Sequence, residues 1–451
     1  MTTLKTDFWG LENFYYDSHK NFSNNIDNLI YQNDGFSNYS KEGISSFLTY
    51  RYPIATYTMF EDFKRLDSSV IFENDKQTPY WRPTFQEQTT SEEVAIIKIR
   101  ELLKKSIANL VKGKKRIGAM LSGGLDSSLI VAMLKKEFPE KEIYTYSVGF
   151  YGDDEFEFSD SVAKEFSTNH KKFILGLDDI TDSSEHSIIN ALIRKKAAPL
   201  HPNELPLAIA QQQAKLDCCD IVLCGEGADD IFGGYGRNLR MYLNFDKQKS
   251  TFLEKILADY RYFSIEERQR LIRPEFLVSD ITLSEKIMHE CSSIDIRNQM
   301  LYFIQRLHTK GLIERGMNAL AFNGFSAGFP FIDMDLVNYA NSLPFSMKVK
   351  YNDGFSDCDF QNVNYKDVSE KYDTPKYILK KMAEQYLSTD IIYRKKYGFP
   401  VPFEKWLANT NILELDNTVF NSSDVSYLNG WKKYMVINLN TFIKIFNKYR
   451  K

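Results

Sequence analysis

Between residues 92 and 225 the chain alternates two kinds of apolar pattern. EEVAIIKIRELLKKSIANLV places apolar residues at three- and four-residue spacing, which predicts a helix starting near Glu92 with Thr90 or Ser91 as its cap. RIGAMLS (116–122), EIYTYSVG (142–149), KKFILGL (171–177) and DIVLCG (220–225) are short continuous apolar runs that predict buried strands. Between them, SSLIVAMLKKEF (127–138, ended by Pro139), the segment around SVAKEFS (159–168) and PLAIAQQQAKL read as helices. Short apolar strands separated by helices specify βαβ units, so the fold class is α/β: a parallel sheet flanked by helices. From about residue 250 the periodicity is mainly helical, with Gly/Pro-punctuated loops at 324–333 and 396–402.

The first 90 residues are polar, aromatic and Asn-rich, with apolar stretches such as GISSFLTYRY and SSVIFEN. They predict a small α+β or irregular layer. TPYWRPTFQEQTTSEE, with Pro79 and Pro83, then punctuates the chain and marks a boundary near residue 90.

Composition narrows the function classes. The chain of 451 residues carries 57 Lys+Arg against 60 Asp+Glu, a formal charge of −3, without the basic excess of a general nucleic-acid binder. It has no uncharged apolar run of about 18 residues, so no membrane span is expected. The N-terminus, MTTLKTDFWGLENFYYDSHK, lacks the apolar core of a signal peptide. Five cysteines make no disulfide framework, which points to a reducing, cytoplasmic setting. Cys218 and Cys219 are read as packing residues, and Cys224, at the start of a Gly/Asp-rich loop, as lining a ligand site without reacting. Six scattered histidines show no metal-binding spacing.

The sharpest local signal is Leu121-Ser122-Gly123-Gly124-Leu125-Asp126-Ser127-Ser128, between a predicted strand and a predicted helix. Two glycines allow a tight turn and close approach of backbone N–H groups to an anion, and the helix N-terminus adds its free donors. Ser122, Ser127 and Ser128 supply hydroxyls, and Asp126 can hold a divalent cation that neutralises phosphate charge. An ordinary strand–helix turn capped by Ser and Asp is the plain alternative. The segment lacks the GK[ST] ending of a Walker loop. It resembles the SGGxDS pyrophosphate-binding loop of the ATP pyrophosphatases, which cleave ATP between the α and β phosphates and transfer AMP.

A second loop, Cys224-Gly225-Glu226-Gly227-Ala228-Asp229-Asp230-Ile231-Phe232-Gly233-Gly234-Tyr235, also follows a predicted strand. Loops leaving the carboxyl ends of parallel strands line one crevice, so it can face the first. Glu226 and Asp229 beside a triphosphate are costly unless metal ions lie between. A solvated acidic loop is the alternative reading of this segment alone.

GEGADDIFGGY is similar to the GEGADELFGGY segment of the asparagine synthetase family. Phe329-Pro330-Phe331-Ile332-Asp333 resembles that family's PFLD motif. Lys376-Tyr377-Ile378-Leu379-Lys380, followed by Arg394-Lys395-Lys396-Tyr397-Gly398-Phe399-Pro400-Val401-Pro402 and Trp406, resembles its KyiL…RxKxGFxxP run. FLTYRYPIATYTMFEDFKRLDSSVIF…YWRP at 47–83 resembles the stretch that joins the family's glutaminase and synthetase domains.

The resemblance implies a PP-loop, adenine nucleotide alpha hydrolase-like sheet with a helical C-terminal part. It makes 91–451 the synthetase domain, and 1–90 a truncated remnant of the glutaminase-like domain and connector. It implies that Ser122, Gly123, Gly124, Asp126, Ser127 and Ser128, flanked by Leu121 and Gly225, hold the ATP phosphates and pyrophosphate. Asp126 and Asp229 would ligate Mg²⁺, Glu226 would guide the attacking nitrogen, and Lys396 would stabilise the transition state and the leaving pyrophosphate. Val148 and Gly149 would neighbour the adenosine.

Two departures from the family pattern shape the expected function. The chain begins Met1-Thr2-Thr3 and has no cysteine before Cys218, so the cysteine-dependent hydrolysis of glutamine is not expected. The nitrogen would come from ammonia, from a partner, or from an amine on the substrate, and a partner subunit would complete the N-terminal layer. The family's E-x-R before PFLD is replaced by Ser326, Ala327 and Gly328, and a family methionine by Ala321, while Arg315 matches a family arginine. His201 lies in the loop before a helix that borders the acceptor site in relatives. The expectation is an ATP-dependent, AMP-forming amide ligase acting on a small-molecule or peptide carboxylate. Alternatives are an intramolecular cyclase of the β-lactam synthetase or lasso-peptide type, a tRNA- or nucleobase-modifying ATP pyrophosphatase, and a catalytically silent interaction protein.

Overall fold

A computed structural model describes residues 3–181, 184, 186–235, 256–257, 260–352, 354, 370–395, 401–408, 414–421 and 424–451. The N-terminal segment forms two small antiparallel sheets. One joins β1 (Leu4–Lys5) to β5 (Val70–Glu73) and β6 (Lys76–Pro79); the other is β3 (Phe22–Ser23), β2 (Tyr15–Tyr16) and β4 (Lys64–Arg65). Helices α1 (Ile26–Gln32) and α2 (Lys41–Tyr50) complete it. GISSFLTYRY is therefore helix up to Tyr50, where Arg51 turns left-handed (φ 69°) as the C-cap.

This layer shares its core with the far end of the chain. Phe60 packs on Phe442 and Phe446 of the helix Gly430–Phe446, with ring centroids 5.6 and 5.2 Å away. The Tyr39 hydroxyl donates to the Ile443 carbonyl at 3.1 Å, and Trp9 Nε1 donates to the Ile332 carbonyl at 2.8 Å.

Helix α3 (Glu92–Val111) starts where the pattern indicates, with the Ser91 hydroxyl accepting from the Val94 N–H at 3.3 Å. The four expected strands follow as β7 (Arg116–Met120), β8 (Glu142–Phe150), β9 (Asn169–Leu175) and β10 (Ile221–Leu223), all parallel in the order β10-β7-β8-β9. Between them run α4 (Leu125–Glu137), α5 (Phe156–Glu165), α6 (Leu177–Thr181), α7 (Ile188–Lys196) and α8 (Glu204–Leu216), and α9 (Ala228–Phe232) follows β10. Residues 129–134 of α4 are all buried, which explains why that helix is apolar on every side. Strand β9 begins two residues before its expected start, because Ser167 (φ 49°) ends the preceding helix early.

The chain leaves β7 toward β8 and β9 on one side, then crosses back to lay β10 on the other. The carboxyl ends of β7 and β10 flank that switch point, where open parallel sheets place their ligand crevice.

Candidate active site

The loop after β7 is shaped by Gly123 (φ 72°), where a Cβ would lie 2.6 Å from the Phe158 backbone carbon. Gly124 is the N-cap of α4 and offers no side chain to cover the first-turn N–H groups. The Ser127 hydroxyl accepts from the Ser122 N–H at 3.1 Å and lies 3.0 Å from the Ser122 hydroxyl, closing the loop on itself. Ser128 is fully buried, and its hydroxyl has no hydrogen-bond partner.

The loop after β10 meets it directly: a Cβ on Gly225 would sit 3.2 Å from Asp126 Cβ. Gly227 (φ 100°) opens α9, and its first turn presents Asp229. Both carboxylates converge on Lys376, which precedes the helix Tyr377–Ala383 in a left-handed conformation (φ 56°). Lys376 Nζ lies 2.7 and 2.6 Å from Asp126 Oδ1 and Oδ2, and 2.8 Å from Asp229 Oδ1. Burial alone would lower the lysine pKa, but the two carboxylates outweigh it and hold the ammonium above its ordinary value.

One cation bridging both carboxylates is the arrangement a divalent ion would share with phosphate oxygens. Among the described residues no group of three His, Cys, Asp or Glu side chains is placed to hold a metal ion. Asp126 and Asp229, two carboxylates sharing one cation at the cleft wall, are the residues that would hold Mg²⁺, with water and substrate oxygens completing its shell.

These loops border a cleft of about 510 Å³. Of the expected residues, Leu121, Ser122, Gly124, Asp126 and Ser127 line it from the first loop, Gly225, Glu226 and Asp229 from the second, and Val148 from β8. Gly123 and Ser128 lie behind the loop surface, and Gly149 packs against the following turn, where a Cβ would be 2.6 Å from Asp154 Cβ. Lys396 falls outside the described residues. Cys224 is 1% exposed within the sheet core and is absent from the cleft wall. Cys218, Cys219, Cys224 and Cys291 are free thiols.

Lys376 and Arg394 belong to the family-like motif runs, but the resemblance assigns neither a role; both line the cleft. Arg394 spans the phosphate-loop side of the cleft: its Nη1 lies 2.8 Å from Glu155 Oε1, and its guanidinium lies 4.0 Å from the Phe158 ring centroid. The signal is present in the Arg394-Lys395-Lys396 run, whose first cation lines the cleft.

The opposite end of the cleft is built by α8 and by one helical run, Ile296–Phe303 and Thr309–Phe322 joined by a π-helical turn at Ile304–His308. His308, Leu312 and Arg315 share the face of that run that lines the cleft. Arg315 Nη2 reaches Glu226 Oε1 at 3.2 Å. His308 stands between two phenols, with Nε2 3.0 Å from the Tyr235 hydroxyl and Nδ1 bonded to that of Tyr260. Burial raises the pKa of both phenols, so they stay protonated. His201 is 5% exposed, and its Nδ1 accepts from the Asn203 N–H at 3.1 Å. Burial, with the nearby Arg51 and Arg315 charges, pushes its pKa well below the usual value and keeps the ring neutral.

The family model for asparagine synthase matches residues 98–441. Asparagine synthetase [glutamine-hydrolyzing] 1 of Bacillus subtilis is 23% identical over 451 aligned residues, covering 89% of this chain and 65% of that protein. The corresponding enzyme 3 of the same organism is 25% identical, over 71% of this chain and 51% of its own. The Zea mays asparagine synthetase is 27% identical over 184 residues, 39% of this chain and 30% of that one. The chain thus matches no more than about two thirds of the length of these relatives. Among solved structures, a U34-tRNA thiolase from Methanococcus maripaludis matches 53% of this chain and 87% of its own at 12% identity, with a TM-score of 0.28, too low to bear on the fold. Among the described residues no helix is long and apolar enough to cross a membrane.

Proposed function

The chain belongs to the asparagine synthase family, and on that premise we propose that it is an ATP-dependent, AMP-forming amide ligase. It would activate a carboxylate of a small molecule or peptide and join it to ammonia or an amine. The observation that carries this reading is the meeting of two loops from adjacent parallel strands, with Asp126 and Asp229 sharing one cation at the cleft wall.

In the first step a substrate carboxylate oxygen attacks the α-phosphorus of ATP, the bond to the β-phosphate oxygen breaks, and pyrophosphate leaves. The N–H groups that begin α4, with the Ser122 and Ser127 hydroxyls, would hold the β and γ phosphates in line. Mg²⁺ held by Asp126 and Asp229 would supply charge neutralisation for those phosphates. Arg394, and Lys396 by the family motif, would set positive charge beside the departing pyrophosphate. In the second step a nitrogen attacks the acyl-adenylate carbonyl, AMP departs, and the amide remains. Glu226, which Arg315 Nη2 meets at 3.2 Å, would guide that nitrogen and accept its proton. Val148 would lie against the adenosine.

The test is ATP consumption with Mg²⁺ across carboxylates, with ammonia or amines present or omitted, resolving AMP plus pyrophosphate from ADP plus phosphate. AMP and pyrophosphate that vanish in Asp126→Ala would support the reading. ADP formation would overturn it. Product formed without any added amine would identify the intramolecular form of the same chemistry.

A further inference from the structure

The helical run at the far end of the cleft widens into a π-helical turn at Ile304–His308. Such turns are rare, concentrate at functional sites, and free backbone carbonyls that need other donors. Here the protein fastens the turn from two sides. The Tyr52 hydroxyl, from the N-terminal layer, donates to the Leu307 carbonyl. Gln305 Nε2 donates to the Asp230 carbonyl at 3.3 Å, and the Thr309 hydroxyl to Asp230 Oδ1 at 2.6 Å, which ties the turn to the loop after β10. The side chain that the turn delivers to the cleft wall is His308.

Its two ring nitrogens are each bonded to a phenol, Nε2 to Tyr235 at 3.0 Å and Nδ1 to Tyr260, and Tyr235 also lines the cleft. A neutral imidazole has one N–H and one bare nitrogen, so one phenol donates to it and the other accepts from it. Passing from one such arrangement to the other carries one proton from end to end. An imidazolium is satisfied by the same partners, because it donates to both phenol oxygens. The charges facing the trio balance: Asp229, Asp230 and Arg315 act on Tyr235, while Asp230 and Arg51, with the Tyr52 and Tyr262 phenols, act on Tyr260. His201 also faces His308, and its ring is neutral. A transient positive ring is therefore added to a neutral set.

We propose that His308, acting through the Tyr235 hydroxyl, takes up the second of two protons that the nitrogen releases during amide formation. The proposal rests on the amide-ligase reading of the same cleft. A free amine in neutral water is an ammonium, which loses one proton to become a nucleophile and another after it attacks. The Glu226 carboxylate can hold only one of them. The other passes to the Tyr235 oxygen as the phenol's own proton moves to His308 Nε2. The ring keeps its Nδ1–H on the Tyr260 oxygen and becomes an imidazolium. It returns the proton to water by the reverse path once AMP and the amide have left. Tyr235 is thus the group that meets the nitrogen, and His308 is a positioning residue that stores its proton.

Two measurements on the full chain test it. The first needs no acid: solvent exchange of the His308 ring proton, followed by NMR with isotope-labelled histidine and assigned by its loss in His308→Gln. Tyr235→Phe should slow that exchange, because the relay loses its outer member. A merely structural bond would shield the ring, so unchanged or faster exchange would overturn the relay. The second supplies Mg²⁺, ATP and L-aspartate, L-glutamate or succinate with either ammonium or hydroxylamine at neutral pH. Hydroxylamine is uncharged there and releases one proton, which Glu226 can hold. His308→Gln keeps a hydrogen-bonding side chain beside the phenols but cannot store a proton. It should cut amide formation from ammonium by at least about a hundredfold and hydroxamate formation far less. Equal losses with both nucleophiles, or no loss, would overturn the relay, and melting temperatures of the variants separate lost transfer from lost folding. Formation of ADP by the wild type would overturn the ligase reading instead, whatever the exchange measurement gives.

Discussion

Lys376 and Asp126 are 250 positions apart in the chain, yet the lysine ammonium touches both carboxylate oxygens, at 2.7 and 2.6 Å. The same ammonium holds Asp229, so one side chain ties the loops after β7 and β10 to the helix Tyr377–Ala383. Its side chain is 7% exposed, against 20% for Asp126.

That triad makes Lys376 a test of the metal reading. Lys376→Met leaves two nearly buried carboxylates facing each other and is expected to cost about 3 kcal/mol of stability without divalent ions. Mg²⁺ should restore much of that loss by taking the place of the ammonium, and should stabilise the variant more than the wild type. Urea unfolding with Mg²⁺ and with EDTA reads both; equal Mg²⁺ effects would remove the two aspartates from metal binding.

Asp126→Asn keeps the shape of the loop and leaves Lys376 paired with Asp229. Pyrophosphate release should fall by at least about a hundredfold, while the melting temperature changes little. A variant that keeps wild-type rates would separate Asp126 from phosphate chemistry.

Gly234 packs against the triad so closely that a Cβ would overlap both Asp229 Oδ1 and Lys376 Cε. Gly234→Ala should displace the ion pair at a cost of about 1–3 kcal/mol and lower the rate of AMP formation by at least tenfold. Gly113→Ala is the control, because a Cβ there meets nothing within 4 Å, although its φ of 72° carries its own small strain.

Lys348 gives the chain a pH signature. It is fully buried and donates to the Leu343 carbonyl; burial lowers its pKa from 10.5 to about 7, with Glu87 opposing. The unfolded chain therefore binds a proton that the folded chain releases, at every pH between those values. Stability rises with pH across that window, and the contribution is flat below about 7, where both states are charged. Relative to Lys348→Met, the wild type should gain about 2 kcal/mol between about pH 7 and about pH 9. Denaturant unfolding of both proteins at the two pH values measures it, and a constant difference would contradict the assignment.

The amino-acid sequence by itself determined the parallel sheet. Four apolar runs, too short for helices and divided by amphipathic ones, have few other ways to be buried, and each appears as a strand of the sheet. It also determined the two loops, since Gly123, Gly227 and Gly233 hold left-handed conformations beside carboxylates and hydroxyls whose chemistry is local. What the tertiary structure decided is which distant charges meet. Nothing in the spacing of Lys376 or Arg394 says that one will bridge Asp126 and Asp229 while the other stacks on Phe158, because ion pairing depends on distances across the fold. The same holds for His308, one polar position on a helical run until the π-helical turn and the loop after β10 set it between Tyr235 and Tyr260. Periodicity encodes which face of an element is buried; only packing decides which groups meet across one cavity.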